Sequence, residues 1–381
     1  TDPAAGTGTD SITGLAAGYY LIKNTSVGDG EVYTDYILQV VKNVEVNPKS
    51  GKPTLDKQIR HNDNGEWGVV GDNQIGDTVE FRTITTVPIV SGYTEYTYVI
   101  HDEMSAGLTS NVHSNNDVTI KVNDEDANKL DEIYYTVTVD PENANKFTVT
   151  VDVLKAIEDG KMAEEDTLYT YYTGILNEKA KVYNDGKQDN KAYLEYSNNP
   201  NNTGDGTTKP NDTGKTPEDK NIVFTYKVTV NKVKENKQPL KGAEFELSKK
   251  AKDGSWISKG KLTGTGDDQN VFEWKGLDDG DYKIEETTTP SGYNTIDPIE
   301  FTITAEHEID SADPKLTSLS GGDVFTGNVT TGAVSATIVN KSGSTLPETG
   351  GIGTTVFYVI GGMLMAAAAV LLITKKRMNN K

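Results

Sequence analysis

The sequence predicts an all-β fold class: tandem β-sandwich domains followed by one C-terminal membrane helix. Three observations predict it. Val, Thr and Tyr recur in short alternating runs separated by Asn, Asp and Gly, the pattern of half-buried strands between tight turns. The chain has 381 residues, room for two or three domains. Near its end an uncharged apolar run over residues 354–374 precedes Lys375-Lys376-Arg377. As a helix such a run reaches about 30 Å, one bilayer core, and the basic cluster behind it is a stop-transfer signal that leaves the rest of the chain outside.

Taken in order, residues 1–50 hold two expected strands, at 15–24 and 36–46, the second ended by Asn47-Pro48-Lys49. Two strands cannot bury a core, so this segment is expected to be the C-terminal part of a first domain whose beginning is missing. The first residue is Thr1, with no signal peptide, which also points to a processed or truncated N-terminus. Residues 51–200 read as one β-sandwich with strands at 54–60, 78–88, 95–102, 117–122, 133–139, 146–153, 168–177 and 190–196, and a helical turn or two near 153–162. Residues 201–220, rich in Asn, Thr, Gly and Pro, read as a linker. Residues 221–341 read as a second sandwich with strands at 224–233, 243–248, 270–274, 280–286, 299–305 and 334–340. The anchor region covers 346–381.

Composition excludes several function classes. A net charge of −20 repels a phosphate backbone, so no nucleic-acid partner is expected. There is no cysteine, so an exported chain must hold its domains by burial or by another covalent device. The four histidines, His61, His101, His113 and His307, are scattered, with no metal-ligand pair and no Ser-His-Asp arrangement. Asp124-Glu125-Asp126 reads as a solvated acidic turn, and Asn201 and Asn211 open Asn-x-Thr sequences within the linker. No turnover enzyme, cofactor or metal is expected.

The end of the chain carries the most specific motif. Leu346-Pro347-Glu348-Thr349-Gly350, followed by the apolar run and the basic tail, resembles the LPXTG cell-wall sorting signal of Gram-positive surface proteins. The resemblance implies cleavage by a sortase between Thr349 and Gly350, with the Thr349 carboxyl passed to an amine. Pro347 kinks an extended segment and Gly350 leaves the scissile bond uncrowded. The implied place is outside the cell on the wall, with the membrane as a holding point before sorting.

A second set of motifs lies in residues 222–341: Pro239-Leu240-Lys241-Gly242-Ala243-Glu244-Phe245-Glu246-Leu247, Gly276-Leu277, Gly280-Asp281-Tyr282, Ile284-Glu285-Glu286-Thr287 and Pro290-Ser291-Gly292-Tyr293. It resembles the B-type (Cna B-like) repeat domain of collagen adhesins and pilins, an immunoglobulin-like sandwich. In that family a first-strand lysine bonds to a last-strand asparagine, promoted by a glutamate; the matching positions are Lys232, Asn340 and Glu286. Strand parity agrees: Lys232 shares a face with Val228 and Val230, and Asn340 with Ala336 and Ile338. A lysine and an asparagine on an apolar face are costly without partners. Burial strips charge from an amine and makes it nucleophilic, and a buried protonated acid can hydrogen-bond the amide carbonyl. Attack then releases ammonia and leaves an isopeptide bond, a single self-modification without turnover.

Tyr98-Val99-Ile100-His101-Asp102, with Gly107-Leu108-Thr109 behind it, resembles the second domain of backbone pilins, which implies Lys57 as the lysine and Asp102 as the acid. Asn190 and Asn198 have the same parity, so alternation does not choose between them. Asn198 is the expected acceptor because it closes the last strand before a linker, with Asn190 the runner-up. Val44-x-Val46-Asn47-Pro48-Lys49 resembles the pilin motif, whose lysine takes the acyl group from sortase; Val40 and Asn47 stand where the family has Trp and Tyr, and Lys42 and Lys52 are alternatives to Lys49. These resemblances together imply the major (backbone) subunit of a sortase-assembled pilus. Its expected partners are sortase, other pilin subunits, peptidoglycan and host surface ligands; the competing expectation is a monomeric wall-anchored adhesin.

Overall fold

The computed structural model describes residues 14–23, 35–40, 52–62, 64–124, 126–183, 187–199, 202, 212–309 and 313–343. Lys42, Lys49, the pentapeptide Leu346–Gly350 and the expected membrane span lie outside the described residues. The described part is almost wholly β. Residues Gly18–Lys23 and Asp35–Val40 pair as an antiparallel hairpin.

The first sandwich packs two sheets. One has seven strands, in the order Tyr135–Val139, Lys146–Val151, Tyr98–Met104, Gln188–Ser197, Asp219–Phe224 and Val70–Asp72, with Thr213–Lys215 also on Gln188–Ser197. The other has six, in the order Trp67–Gly68, Leu55–Arg60, Thr78–Thr86, Thr167–Leu176 and Leu108–Ser110, with Thr119–Val122 also on Thr167–Leu176. Strict alternation drives the packing: Thr78–Thr86 buries Val79, Phe81, Thr83 and Thr85, and Tyr98–Met104 buries Tyr98, Ile100, Asp102 and Met104. Ile59 and Phe81 of one sheet share a core with Ile100, Val149 and Leu194 of the other. The expected helical turn is present at Val153–Glu158, capped by Asp152, whose side chain accepts from Lys155 N at 3.1 Å.

The second sandwich joins a four-stranded sheet (Val271–Leu277, Tyr226–Lys234, Ala333–Asn340, Thr326–Asn328) to a five-stranded one (Trp256–Thr263, Glu244–Lys250, Gly280–Thr288, Ile299–Glu308, Lys315–Ser320). Its core joins Val228, Val230 and Ile338 to Phe245, Leu247, Tyr282 and Ile284. The first strand, Tyr226–Lys234, and the last, Ala333–Asn340, are parallel neighbours, with Lys232 opposite Ile338 and Lys234 opposite Asn340.

The passage between the sandwiches departs from the linker expected over 201–220. Thr213–Lys215 and Asp219–Phe224 are strands of the first sandwich, and only Thr225 separates the latter from Tyr226. Alternation lets this last strand serve both units: Val223 lies in the first core, and Ile222 and Phe224 in the second. The polar composition of 201–216 concealed it, because Ile222, Val223 and Phe224 read as the start of the next domain. Around the junction Asn62 Nδ2 and Lys249 Nζ both donate to Asp278 Oδ2, at 2.8 and 2.6 Å. Ile75 N donates to Gly276 O at 2.9 Å. Gly276 has φ 69°, and a Cβ there would sit 2.2 Å from Ile75 Cδ1, so the close approach requires glycine.

Candidate functional site: two buried lysine clusters

Two lysines are sealed inside the sandwiches, Lys57 at 1% and Lys232 at 0% exposure, which makes them the features that most need explaining. Lys232 enters its core because Tyr226–Lys234 alternates, with Val228, Val230 and Lys232 all inward. Asn340 arrives on the neighbouring strand below Ala336 and Ile338. Glu286 comes from the facing sheet, inward with Tyr282 and Ile284. Lys232 Nζ donates to Asn340 Oδ1 and lies 3.6 Å from Glu286 Oε1. Asn340 Nδ2 donates to both Glu286 oxygens, at 2.8 and 3.1 Å. Thr289 Oγ1 and Ile296 N each donate to Glu286 Oε2 at 3.2 Å and hold the carboxylate in place. Burial depresses the Lys232 pKa, against the pull of Glu286's charge and hydrogen bond. The acid therefore faces the amide nitrogen of Asn340, whereas sequence reasoning placed it on the carbonyl oxygen.

In the first sandwich Lys57, with Ile59, points inward from Leu55–Arg60. Its Nζ donates to Asp102 Oδ2 at 2.6 Å and to Tyr172 Oη. Tyr172 in turn donates to Asp102 Oδ2, and Asn190 Nδ2 donates to Tyr172 Oη at 3.4 Å. Lys57, Asp102, Tyr172 and Asn190 are all buried. Burial is the largest influence on both ions: it pushes Lys57 down and Asp102 up, with their mutual attraction opposing it. Both directions favour a neutral amine beside a neutral acid.

The register decides which asparagine joins this cluster. Ala192 lies opposite Asp102 and Asn190 opposite Met104, so Asn190 is two residues from the acid along the strand. Tyr196 lies opposite Tyr98, and Asn198 is a further two residues on, about 20 Å from the acid along the strand. Its backbone N–H donates to Asp212 O at 3.3 Å. The structure thus brings Asn190 to Lys57 and Asp102, and leaves Asn198 at the far end of the sheet.

Sequence reasoning missed Tyr172, Thr289 and Ile296. Tyr172 had a signal: in Thr167–Leu176 the inward face reads Leu168, Thr170, Tyr172, Gly174, Leu176, and a phenol on such a face needs a partner. Among the described residues no group of His, Asp or Glu is arranged to hold a metal ion.

Comparison with known proteins agrees with this architecture. Residues 226–315 match a prealbumin-like fold domain model (SpaA), and residues 338–380 match the LPXTG cell wall anchor motif. The chain is 26% identical over 330 residues to the trypsin-resistant surface T6 protein of Streptococcus pyogenes, covering 75% of this chain and 56% of that protein. It thus spans little more than half the length of that relative. Among solved structures, the T6 backbone pilin of S. pyogenes superposes with a TM-score of 0.58 at 21% identity, over 87% of this chain and 82% of that one. A C-terminal fragment of the major pilin GBS80 of Streptococcus agalactiae gives 0.52 at 21%, over 76% and 99% of the two chains. The major pilin SpaD of Corynebacterium diphtheriae gives 0.51 at 21%, over 86% and 80%. At these identities the superpositions show the fold. A prealbumin-like SpaA domain followed by an LPXTG anchor motif, with the first sandwich ahead of it, makes this chain a cell-wall-anchored surface protein with the fold of the backbone pilins.

Proposed function

We propose that the protein is the structural backbone subunit of a covalent cell-surface pilus. Sortase joins Thr349 of one subunit to Lys49 of the next, and isopeptide bonds Lys232–Asn340 and Lys57–Asn190 brace each subunit from within. The observation that carries this reading is the sealed contact of Lys232 and Asn340, on the first and last strands of the domain that precedes the anchor motif, with Glu286 of the facing sheet. Head-to-tail joining is a heterologous, non-closing contact, as a filament requires.

The last domain supports the following chemistry. Glu286 takes a proton from the Lys232 ammonium, whose charged form burial already disfavours. The free amine attacks Asn340 Cγ, and the Cγ–Nδ2 bond breaks as Glu286 returns the proton to Nδ2, which it already contacts. Ammonia leaves, takes up the second proton that Lys232 Nζ sheds on becoming an amide nitrogen, and departs as ammonium. In the first domain Asp102 is the acid and Asn190 replaces Asn198 as the acceptor.

The decisive test is an immunoblot of wall extracts boiled in detergent. Wild type forms a ladder, and Lys49→Arg leaves only the folded, wall-bound monomer. A ladder that survives Lys49→Arg moves the acceptor to Lys42 or Lys52. The absence of any ladder in wild type instead favours the monomeric adhesin.

A further inference from the structure

We infer that Tyr172 is the proton relay of the Lys57–Asn190 reaction, an inference that rests on the cross-link proposed above. Its hydroxyl is the meeting point of the cluster: it accepts from Lys57 Nζ, donates to Asp102 Oδ2, and accepts from Asn190 Nδ2 at 3.4 Å. The amine, the acid and the leaving nitrogen thus converge on one oxygen.

The other cluster shows why such a group is needed. There a glutamate reaches the amide nitrogen directly, at 2.8 and 3.1 Å. An aspartate is one methylene shorter. Asp102 Oδ2 takes Lys57 Nζ at 2.6 Å and the Tyr172 hydroxyl; Asn190 lies close enough to bear on the Asp102 carboxyl, but the hydrogen bond its Nδ2 makes is to the phenol, at 3.4 Å. Aspartate and tyrosine together thus meet the amide nitrogen that glutamate meets alone in the other cluster. The Tyr172 ring is clamped from two sides. It stacks on Phe81 with centroids 6.0 Å apart and meets Phe147 edge-on at 5.2 Å. Burial, the largest influence, raises the phenol pKa well above its ordinary value, with Asp102 beside it adding to the rise whenever it is charged, so Tyr172 passes protons without holding a charge.

The step balances. Neutral Lys57 Nζ attacks Asn190 Cγ, and the tetrahedral carbon makes Nδ2 basic. The proton shed by Nζ moves to Tyr172 Oη as the Tyr172 proton moves to Nδ2. The Cγ–Nδ2 bond breaks and ammonia leaves. Tyr172 ends as it began, and the proton first taken up by Asp102 departs with the ammonia.

The test follows intact mass after a short pulse of expression of the full chain, with the Lys57–Asn190 peptide identified by tandem mass spectrometry. Tyr172→Phe keeps the stacked ring and removes the relay. Its loss of the corresponding ammonia slows by about 10²-fold or more, while Lys232–Asn340 closes at the wild-type rate and reports that the chain has folded. A fluorinated tyrosine at position 172, nearly isosteric and more acidic, changes the rate and its pH profile, which a packing role would not do. If Tyr172→Phe and the fluorinated chain both close the Lys57 bond at the wild-type rate, the relay is wrong. If wild type itself lacks the Lys57–Asn190 peptide, the cross-link reading falls instead.

Discussion

Each lysine cluster sets a lysine and an asparagine about a buried acid, and the two assemble these parts in opposite ways. In the second sandwich Lys232 and Asn340 sit on parallel neighbouring strands of one sheet, and the acid reaches over from the other. In the first, Lys57 and Tyr172 belong to one sheet, and Asp102 and Asn190 to the facing one. A bond between Lys232 and Asn340 would tie the strand where the chain enters the domain to the strand where it leaves. Load would then bypass every strand between them. A bond between Lys57 and Asn190 would staple two sheets and resist their sliding apart. Cross-linking of the kind proposed would ask only for a dry site and a shared proton, so it could be placed on neighbouring strands or across facing sheets as the load requires.

The largest effect comes from removing both promoters. Asp102→Ala/Glu286→Ala is expected to fold yet keep the mass of both ammonias that wild type loses, after correction for the substitutions. The lost loops, of 108 residues and roughly 130, are each worth about 4–5 kcal/mol of unfolded-state entropy by analogy with disulfides, if native strain is small. Melting should therefore fall by roughly 10–20 °C, with the protein becoming sensitive to trypsin. A double variant that still loses both ammonias would show that neither acid promotes the reaction, and the comparison would lose its chemical basis.

A smaller effect sharpens the geometry. Asn190→Ala should lose one ammonia where wild type loses two, and lower melting by roughly half as much as the double variant, whereas Asn198→Ala should lose both ammonias as wild type does. The reverse outcome would restore Asn198 and place the staple at the other end of the sheet.

This pair also marks where the sequence stops being legible. For Lys232 and Asn340 the family resemblance named the pair and strand alternation agreed with it, because their strands are the first and last of a domain whose motifs run along its length. Asn190 and Asn198 have the same parity, and only the pairing of Ala192 with Asp102 separates them. That register is set by the packing of distant strands and leaves no local trace. The junction was hidden for a related reason. Asp219–Phe224 gives Val223 to one core and Ile222 and Phe224 to the other, so its run of apolar residues reads as the start of a single strand. Trp256–Thr263 was missed because it is an edge strand with little burial and no clean alternation to detect.

The smallest effect asks whether the two sandwiches, compared above as separate units, respond as one. His307 is buried at their junction, its Nε2 3.0 Å from Tyr226 Oη and 3.4 Å from Asp72 Oδ1, its ring 4.4 Å from that of Phe224. Burial first, and then the charge of His61, bring its pKa down to about 4. Asp72 favours the charged ring and does not overcome that burial. In the unfolded chain an ordinary histidine titrates near 6.5. Above that pH both states are neutral and His307 has no influence on stability. As pH falls from about 6.5 towards 4, the unfolded chain takes up a proton that the folded chain refuses, so stability drops; below about 4 both are protonated and the loss levels off. The carboxylates add their own pH dependence, so the quantity to measure is the difference between wild type and His307→Gln. Calorimetry should give the two similar melting temperatures at pH 8, with wild type losing more than the variant by pH 5. If the junction couples the sandwiches, wild type at pH 5 should also resolve into two transitions while both isopeptide bonds remain intact by mass. Equal losses in the two proteins would show that His307 is not refused its proton, and that the sandwiches are held together by something other than this contact.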